Sequence, residues 1–327
     1  MTKLGKLFVV GIQGSRLLEE EREMLKRHKP AGVILFRKNI DQGSANWQSS
    51  LKELIGEIRD AVSEKIFISI DHEGGKVHRL FDPITHFSAA INWREDSFQV
   101  GHTMGTELSN LGIDVIYAPV LDIHLEPTNP VIGERSFGIT AEEVITFSEQ
   151  FCEGLKLSGV IPCGKHFPGH GRTTTDSHFA LPVLNLSMDE LFENELKPFI
   201  HHINKQIDMI MSAHINFPQI DTLPATLSKK LINDLLRARL GYRGIIITDD
   251  LEMSALNNFS IEERVMMAII AGNNLALIGY PKAELSTELM RRSIAHLSSK
   301  LGVVGGDELE AVVNDSIFRV TEFIDKI

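Results

Sequence analysis

The sequence predicts a closed (β/α)₈ barrel, the TIM-barrel architecture, as a single domain. Three observations carry that reading: short apolar runs alternate with amphipathic stretches, the unit recurs eight times, and charged or imidazole residues fall just past the ends of the apolar runs. The runs are continuous in apolarity rather than alternating, as parallel strands covered on both faces require.

The first strand is read at 7–12 and ends at Gly14 and Ser15; the polar stretch 17–28 is helical. A second strand, AGVILF at 31–36, leaves Arg37 and Asn39 past its end. Residues 48–62 carry Leu51, Leu54, Ile55, Ile58 and Val62 at helical spacing and belong outside the sheet. Strand 66–70 runs into DHEGGKVHRL, and a helix follows at 98–110. Strand 115–120 leads to Asp122 and helix 145–157; strand 160–164 delivers Lys165 and His166 and precedes helix 188–203. Strand 208–213 ends on His214, with helix 227–240 capped by Gly241. Strand 244–248 ends on Asp249 and Asp250, helix 261–271 follows, and strand 275–278 is the last. Two irregular insertions, 88–94 and 123–139, interrupt the rhythm; the second is rich in Pro, Gly and Asn, as an ordered rim loop would be. After Tyr280, residues 285–301 and 308–324 read as helices joined by LGVVGGDE, so residues 1–327 are expected to form one domain with the helices of about 285–325 packed on it. An open doubly wound sheet is the competing arrangement, but GIQGS after the first strand supplies no GxGxxG.

Composition narrows the function classes. A chain of 327 residues with 43% hydrophobic content buries a large core. Its 33 Lys and Arg against 44 Asp and Glu, a formal charge of -11 with no long basic run, disfavour nucleic acid or an anionic membrane as a partner. Cys152 and Cys163 form no CxxC pair and are expected to be free buried thiols in a reducing compartment. Gly11, Gln13 and Gly14 interrupt the apolar run of MTKLGKLFVVGIQG before it makes a signal-peptide core, so cytoplasmic residence is expected.

In a barrel the C-terminal strand ends share one rim, which would gather Arg37, Asp71, Asp122, Lys165, His166, His214 and Asp249. Asp249 follows GIIIT, so its carboxylate stands over a dry floor as a nucleophile, metal ligand or counter-ion; Asp250 should turn elsewhere, because side chains alternate along a strand. Segment 161–182, IPCGKHFPGHGRTTTDSHFALP, buries little apolar surface for its length and reads as a working loop. Within it Asp176 and His178 lie two apart, where the carboxylate can fix one imidazole nitrogen and leave the other to exchange a proton near neutral pH. Lys165 and His166 are adjacent donors suited to a ligand with many hydroxyls, and Asp71 complements them as an acceptor. Residues 73–75 give close backbone approach, and Arg135 has the choice of a hydroxyl or a rim acid. His166, His170 and His178 lack the helical HExxH pattern of a zinc site, and GHGRTTT lacks GxxxxGK[ST]; no metal and no cofactor are expected.

The separated motifs AGVILFRKN (31–39), IDHEGGKVHRL (70–80), APVLDIH with NPVIGERSFG (118–138), KHFPGHG with TDSH (165–178), AHINFP with LPATLS (213–228) and ITDDLEM (247–253) span nearly the whole chain. In these it resembles glycoside hydrolase family 3, specifically the compact single-domain bacterial β-N-acetylglucosaminidases of peptidoglycan recycling. The resemblance implies that Asp249 is the catalytic nucleophile, His178 the acid/base and Asp176 its orienting partner. It also implies that Asp71, Arg135, Lys165 and His166 hold the terminal N-acetylglucosamine, with Asp122 and His214 in a supporting shell. The implied reaction is retaining double displacement through a covalent glycosyl-enzyme. The implied substrate is a sugar fragment, GlcNAc-anhydroMurNAc with or without peptide; the charge balance leaves no nucleic acid or membrane as partner, and a single compact domain is compatible with a monomer. A β-glucosidase or a phosphorylase of the same family, and a non-catalytic sugar-binding protein, are the competing readings. Departures from the family pattern are His72 and Lys76 in DHEGGKVHR, Arg172 after GHG, and Asn273 with Asn274 where an acid is frequent. Lys76 lacks the planar fork of arginine. Arg172 either favours an anionic aglycone such as a muramyl peptide or is merely solvated.

Overall fold

Continuous apolar runs give strands buried along almost their entire length. In the computed structural model, which describes residues 3–41, 46–177, 179–279, 285–301 and 307–327, these are β1 (Phe8–Gly11), β2 (Gly32–Leu35), β3 (Phe67–Ile70), β4 (Val115–Ile116), β5 (Ile161–Phe167), β6 (Met209–Ser212), β7 (Ile245–Thr248) and β8 (Ala276–Ile278). They form one eight-stranded sheet in the order β7-β6-β5-β4-β3-β2-β1-β8, with parallel pairing throughout. The ring closes where β7 meets β8: Ile247 and Leu275 make a parallel bridge, and Thr248 N donates to Leu275 O at 3.0 Å. The barrel expected from the sequence is therefore the observed architecture.

Helices lie outside the ring: α1 (Glu19–His28), α2 (Trp47–Val62), α3 (Ser97–Leu111), α4 (Ala141–Leu157), α5 (Met188–Glu193), α6 (Leu196–Asn204), α7 (Ile261–Ala271), α8 (Ser286–Lys300) and α9 (Asp307–Lys326). Local chemistry sets several starts. Thr140 caps α4 by accepting from Glu143 N, while Ser187 and Ser260 form reciprocal capping boxes with Glu190 and Glu263. Side chains alternate across each strand, so Phe8 and Val10 pack outward against the helical layer while Val9 joins Ile34, Phe67, Tyr117, Met211 and Ile247 inside the barrel.

The interior cluster also contains Val320, Phe323 and Ile324 of α9. Phe323 meets Phe67 edge-on at 5.8 Å, and Lys65 Nζ donates to Asp325 O at 2.9 Å. α9 therefore seals the N-terminal end of the barrel and leaves the C-terminal rim as its open end. Both cysteines are buried and free, and burial pushes each thiol up.

Four segments differ from the sequence expectation. β4 is only two residues long; Pro119 has no N–H for the ladder, and pairing resumes as a single bridge between Val120 and Lys165. β5 runs on through Lys165 and His166 instead of stopping at Gly164, with a register irregularity between Gly164 and Phe167. The helix read at 188–203 is broken at Asn194, whose φ −137° and ψ −74° lie outside the helical region. The helix after β6 is π-helical over Lys230–Arg239. From it Arg237 donates to Tyr242 O at 3.1 Å and Gly244 O at 2.6 Å and to Asn274 Oδ1. Asn274 Oδ1 also accepts from Ile246 N at 2.9 Å. Asn273 bonds Ser212, Thr226 and Ala268. Both asparagines are structural ties between β7, β6 and the outer helices, and burial, only partly opposed by Asp315, lowers Arg237 to about 10. The glycine-rich link at 302–306 and Tyr280 lie outside the described residues.

Because Phe323 closes the barrel floor, Phe323→Ala should cost about 3 kcal/mol of folding stability and leave rim chemistry alone, read by denaturant unfolding beside an activity assay; an unchanged midpoint would mean that α9 is not a structural plug.

Candidate active site

The rim is built around a carboxylate. Asp71 stands just past β3, and two residues on, Glu73 points back into the mouth at only 4% exposure. Glu73 is met by two cations from distant segments. Arg135, from the long insertion, donates from Nε to Oε2 at 2.8 Å and from Nη2 to Oε1 at 2.9 Å. Lys165, from β5, approaches Oε1 at 2.5 Å and donates to Asp71 Oδ1 at 2.7 Å. Burial works to raise the Glu73 carboxyl, but Arg135 and Lys165 overcome it and hold the group well below its ordinary range. Burial likewise opposes the Lys165 charge, and Asp71 and Glu73 outweigh it, raising the ammonium.

A second buried carboxylate fixes the segment after β5. Asp122, 1% exposed, accepts from the backbone N–H of His166 at 3.2 Å and of His170 at 2.7 Å. Its Oδ2 also lies 2.7 Å from His166 Nδ1; since an ionised carboxylate only accepts, that nitrogen carries the proton and Nε2 is the end turned to other work. Burial raises the Asp122 carboxyl, yet His166 and His170 prevail and lower it. The loop then runs so close to the long insertion that a Cβ on Gly171 would sit 1.7 Å from Ile123 O, a position only glycine fills.

Asp249, past β7, is half-buried. Its Oδ1 accepts from Asp250 N at 2.8 Å. Burial favours the neutral acid, but His214, His166, the Asp250 N–H and Lys165 outweigh it, so the carboxyl sits below its usual range. Asp250 turns toward β8, accepting from Gly279 N at 3.2 Å and Glu252 N at 3.0 Å, the divergence expected from strand alternation. His214 donates from Nε2 to Asp250 O at 3.0 Å, leaving Nδ1 against Thr226 Oγ1 at 3.1 Å; burial lowers its pKa and keeps the ring neutral.

Asp71 and Asp249 line one cavity of 430 Å³ that also includes Arg37, Arg79, Asp250 and Met211. Outside that lining, Glu73 ties Arg135 and Lys165 to the Asp71 side of the rim, and Asp122 holds His166, which lies near His214. Asp176 is half-buried on the loop after β5, its carbonyl accepting from Phe179 N at 3.0 Å and Ala180 N at 3.1 Å. His178 lies outside the described residues. Sequence reasoning passed over two residues. Glu73 was read for its backbone neighbourhood alone, although it shares a side of the chain with Asp71 by i, i+2 spacing. Arg79 lines the cavity with a buried Nε that has no partner among the described residues; its signal was a cation eight residues past Asp71. Among the departures, His72 is buried, accepts from Arg79 N at 3.2 Å and packs on His78 at 4.5 Å, while Lys76 is exposed and reaches Pro130 O at 3.5 Å. Arg172 is half-buried and pairs with a carboxylate: its Nε lies 2.5 Å from Glu195 Oε1.

The profile of the glycosyl hydrolase family 3 N terminal domain matches residues 1–323. A β-hexosaminidase of Neisseria meningitidis serogroup C (strain 053442) is 37% identical over 285 residues, covering 83% of this chain and 77% of that protein. The structure of a glycoside hydrolase family 3 β-N-acetylglucosaminidase from Paenibacillus sp. str. FPU-7 superposes with a TM-score of 0.89 at 34% identity, covering 98% of this chain and 61% of that one. This chain therefore spans under two thirds of the Paenibacillus protein. Native NagZ from Neisseria gonorrhoeae superposes with a TM-score of 0.76 at 31% identity, covering 95% and 97% of the two chains.

Glu73 carries a depressed carboxyl, so the stability it contributes is fully present above the ordinary glutamate pKa of 4.5 and fades as pH falls toward the folded value. Glu73→Gln should cost about 3 kcal/mol at neutral pH, with a smaller cost in acid. Unfolding free energies from pH 7 down to about 2 check this; a penalty that does not shrink below pH 4.5 would mean that the charge of Glu73 is not what binds Arg135 and Lys165.

Proposed function

The chain belongs to glycoside hydrolase family 3, and from that premise we propose how its rim works. It is an exo-acting β-N-acetylglucosaminidase that hydrolyses terminal β-linked N-acetylglucosamine through a covalent glycosyl-enzyme. Asp249 is the nucleophile. The observation that carries this assignment is a carboxylate at the end of β7, held below its usual pKa and so ionised at neutral pH, that shares a cavity with Asp71. A nucleophilic carboxylate has to be charged before the sugar arrives, and the Asp250 N–H and the Lys165 ammonium favour the charged form.

The sugar is held by groups whose directions are already fixed. Asp71 accepts from sugar hydroxyls with the lone pairs that Lys165 leaves open, Arg135 and Lys165 donate, and the Nε2 face of His166, whose Nδ1 holds the proton, accepts. Glu73 and Asp122 keep those groups in place, so little reorganisation accompanies binding. Arg79, whose Nε has no partner among the described residues, adds a donor to the cavity. In the first step Asp249 forms a bond to the anomeric carbon as the bond to the leaving oxygen breaks. Protonated His178, oriented by Asp176, gives its proton to that oxygen. In the second step His178 takes a proton from water, which attacks the anomeric carbon and frees Asp249.

Residues 1–327 act as one catalytic domain in this reading, supported by α9 inside the barrel floor. The substrate is a fragment of wall muropeptide such as GlcNAc-anhydroMurNAc, handled by a cytoplasmic monomer. No helix among the described residues is long and apolar enough to cross a membrane.

Asp249→Ala should lower turnover of nitrophenyl β-N-acetylglucosaminide by about 10⁴-fold or more with an unchanged unfolding midpoint; near-normal rates would remove Asp249 as nucleophile. His178→Ala should lose about 10²-fold or more on a disaccharide, whose leaving group needs a proton, and much less on the nitrophenyl substrate. Equal losses would remove its acid role. Running the same assay with the glucoside, and with and without phosphate, separates hydrolysis of amino sugars from glucosidase and phosphorylase activity.

A further inference from the structure

Arg172 lies four residues before Asp176, and the reaction proposed above gives it no task. Its partner is unusual. Glu195 begins α6 directly after the break at Asn194 and is 3% exposed, yet among the described residues its only charged partner within 4 Å is Arg172, at 2.5 Å. With the Asn194 amide turned to satisfy both its ends, its oxygen accepts from Arg172 Nη2 at 3.2 Å and its nitrogen donates to Glu193 O at 3.3 Å. Gly169, at the root of the same loop, has φ +135°, and a Cβ there would lie 2.8 Å from Glu195 Cβ. The break in the helix therefore presents two consecutive polar residues to the loop, and the loop meets them with a glycine and an arginine.

The other ties of this loop run elsewhere. Toward the long insertion, Asn129 Nδ2 donates to His170 O at 2.9 Å and Glu126 N to Gly171 O at 3.2 Å. Toward the segment after β7, Ala255 N donates to Ser177 O at 3.2 Å. Between Thr173 and Ser177 the backbone is carried mainly by these flanking anchors. Arg172 adds the anchor toward α5 and α6. This anchor is an ion pair, in which burial raises the Glu195 carboxyl and Arg172 is the cation opposing that.

We propose that Arg172 and Glu195 are a positioning pair that holds the loop bearing Asp176 and His178 in register with the barrel rim. The inference rests on the acid/base role proposed for His178. Neither member touches the reacting atoms. Loss of the pair would leave binding at the rim intact and slow the step that needs a well-placed proton donor.

The test compares Arg172→Gln, Glu195→Gln, the double variant and Arg172→Lys, with His178→Ala as reference, on N,N′-diacetylchitobiose and on the nitrophenyl substrate. Each single Gln variant should lower kcat on the disaccharide by about tenfold, with KM unchanged and a loss on the aryl substrate of about twofold at most. The double variant should be no worse than either single one, as for two members of one interaction. Arg172→Lys, which keeps the charge, should recover most of the rate. Unfolding midpoints are recorded in parallel; should Arg172→Gln fail to fold around an unpaired Glu195, the double variant, which removes that charge, takes its place. Equal losses on both substrates, additive effects in the double variant, or no recovery with lysine would overturn the pair. If His178→Ala shows no leaving-group preference, the acid/base reading fails and takes the pair with it; if His178→Ala shows it and Arg172→Gln does not, only the pair fails.

Discussion

A nearly dry carboxylate facing two cations sets the form of this barrel mouth. Glu73 has no solvent to share its charge with, so Arg135 and Lys165 must stay where they are, and Lys165 in turn fixes Asp71. Buried ion pairs of this kind contribute little net stability over an apolar replacement, but breaking one leaves a charge without solvent or partner. The arrangement is therefore stiff rather than strong. For a site that has to present donors and acceptors to a polyhydroxylated ring, stiffness is the useful property, because the groups need not reorganise when charge develops at the reacting carbon.

Asp122 repeats the device one strand further along. Here a carboxylate in the interior collects backbone N–H groups as well as an imidazole, so it fixes the course of the chain leaving β5 and not only a side chain. The two carboxylates divide the work. Glu73 positions the cations of the rim, and Asp122 positions the start of the segment from which Asp176 and His178 extend. Asp249 differs from both in being half-exposed to the cavity and having room beside it, which suits a group that must approach a ligand.

The barrel was legible because its strands are covered on both faces and so read as unbroken apolar runs, and because α2 and α7 show apolar residues at helical spacing. The rim was legible for a related reason: a charge directly after such a run has few places to go except the open end. What escaped depended on partners far away in sequence. The role of Glu73 is decided by Arg135, 62 residues later. The floor plug depends on Phe323 meeting Phe67, whereas residues 308–324 alone show only an amphipathic helix. The helix break at Asn194 was hidden because apolar periodicity continues across it, from Leu191 to Leu196 and Phe199. Lys165 and His166 were placed past the strand end, since a charged pair does not look like strand interior; Asp71, Glu73 and Asp122 supply the counter-charges that let β5 continue through them.

Peptide mapping of a trapped glycosyl-enzyme tests the account most directly. After reaction with an N-acetylglucosaminide carrying a ring fluorine that slows the second displacement, mass spectrometry should find one added fluoro-N-acetylglucosaminyl group, carried by Asp249. An adduct on another residue, or turnover in which the released sugar first appears as the α-anomer, would contradict it.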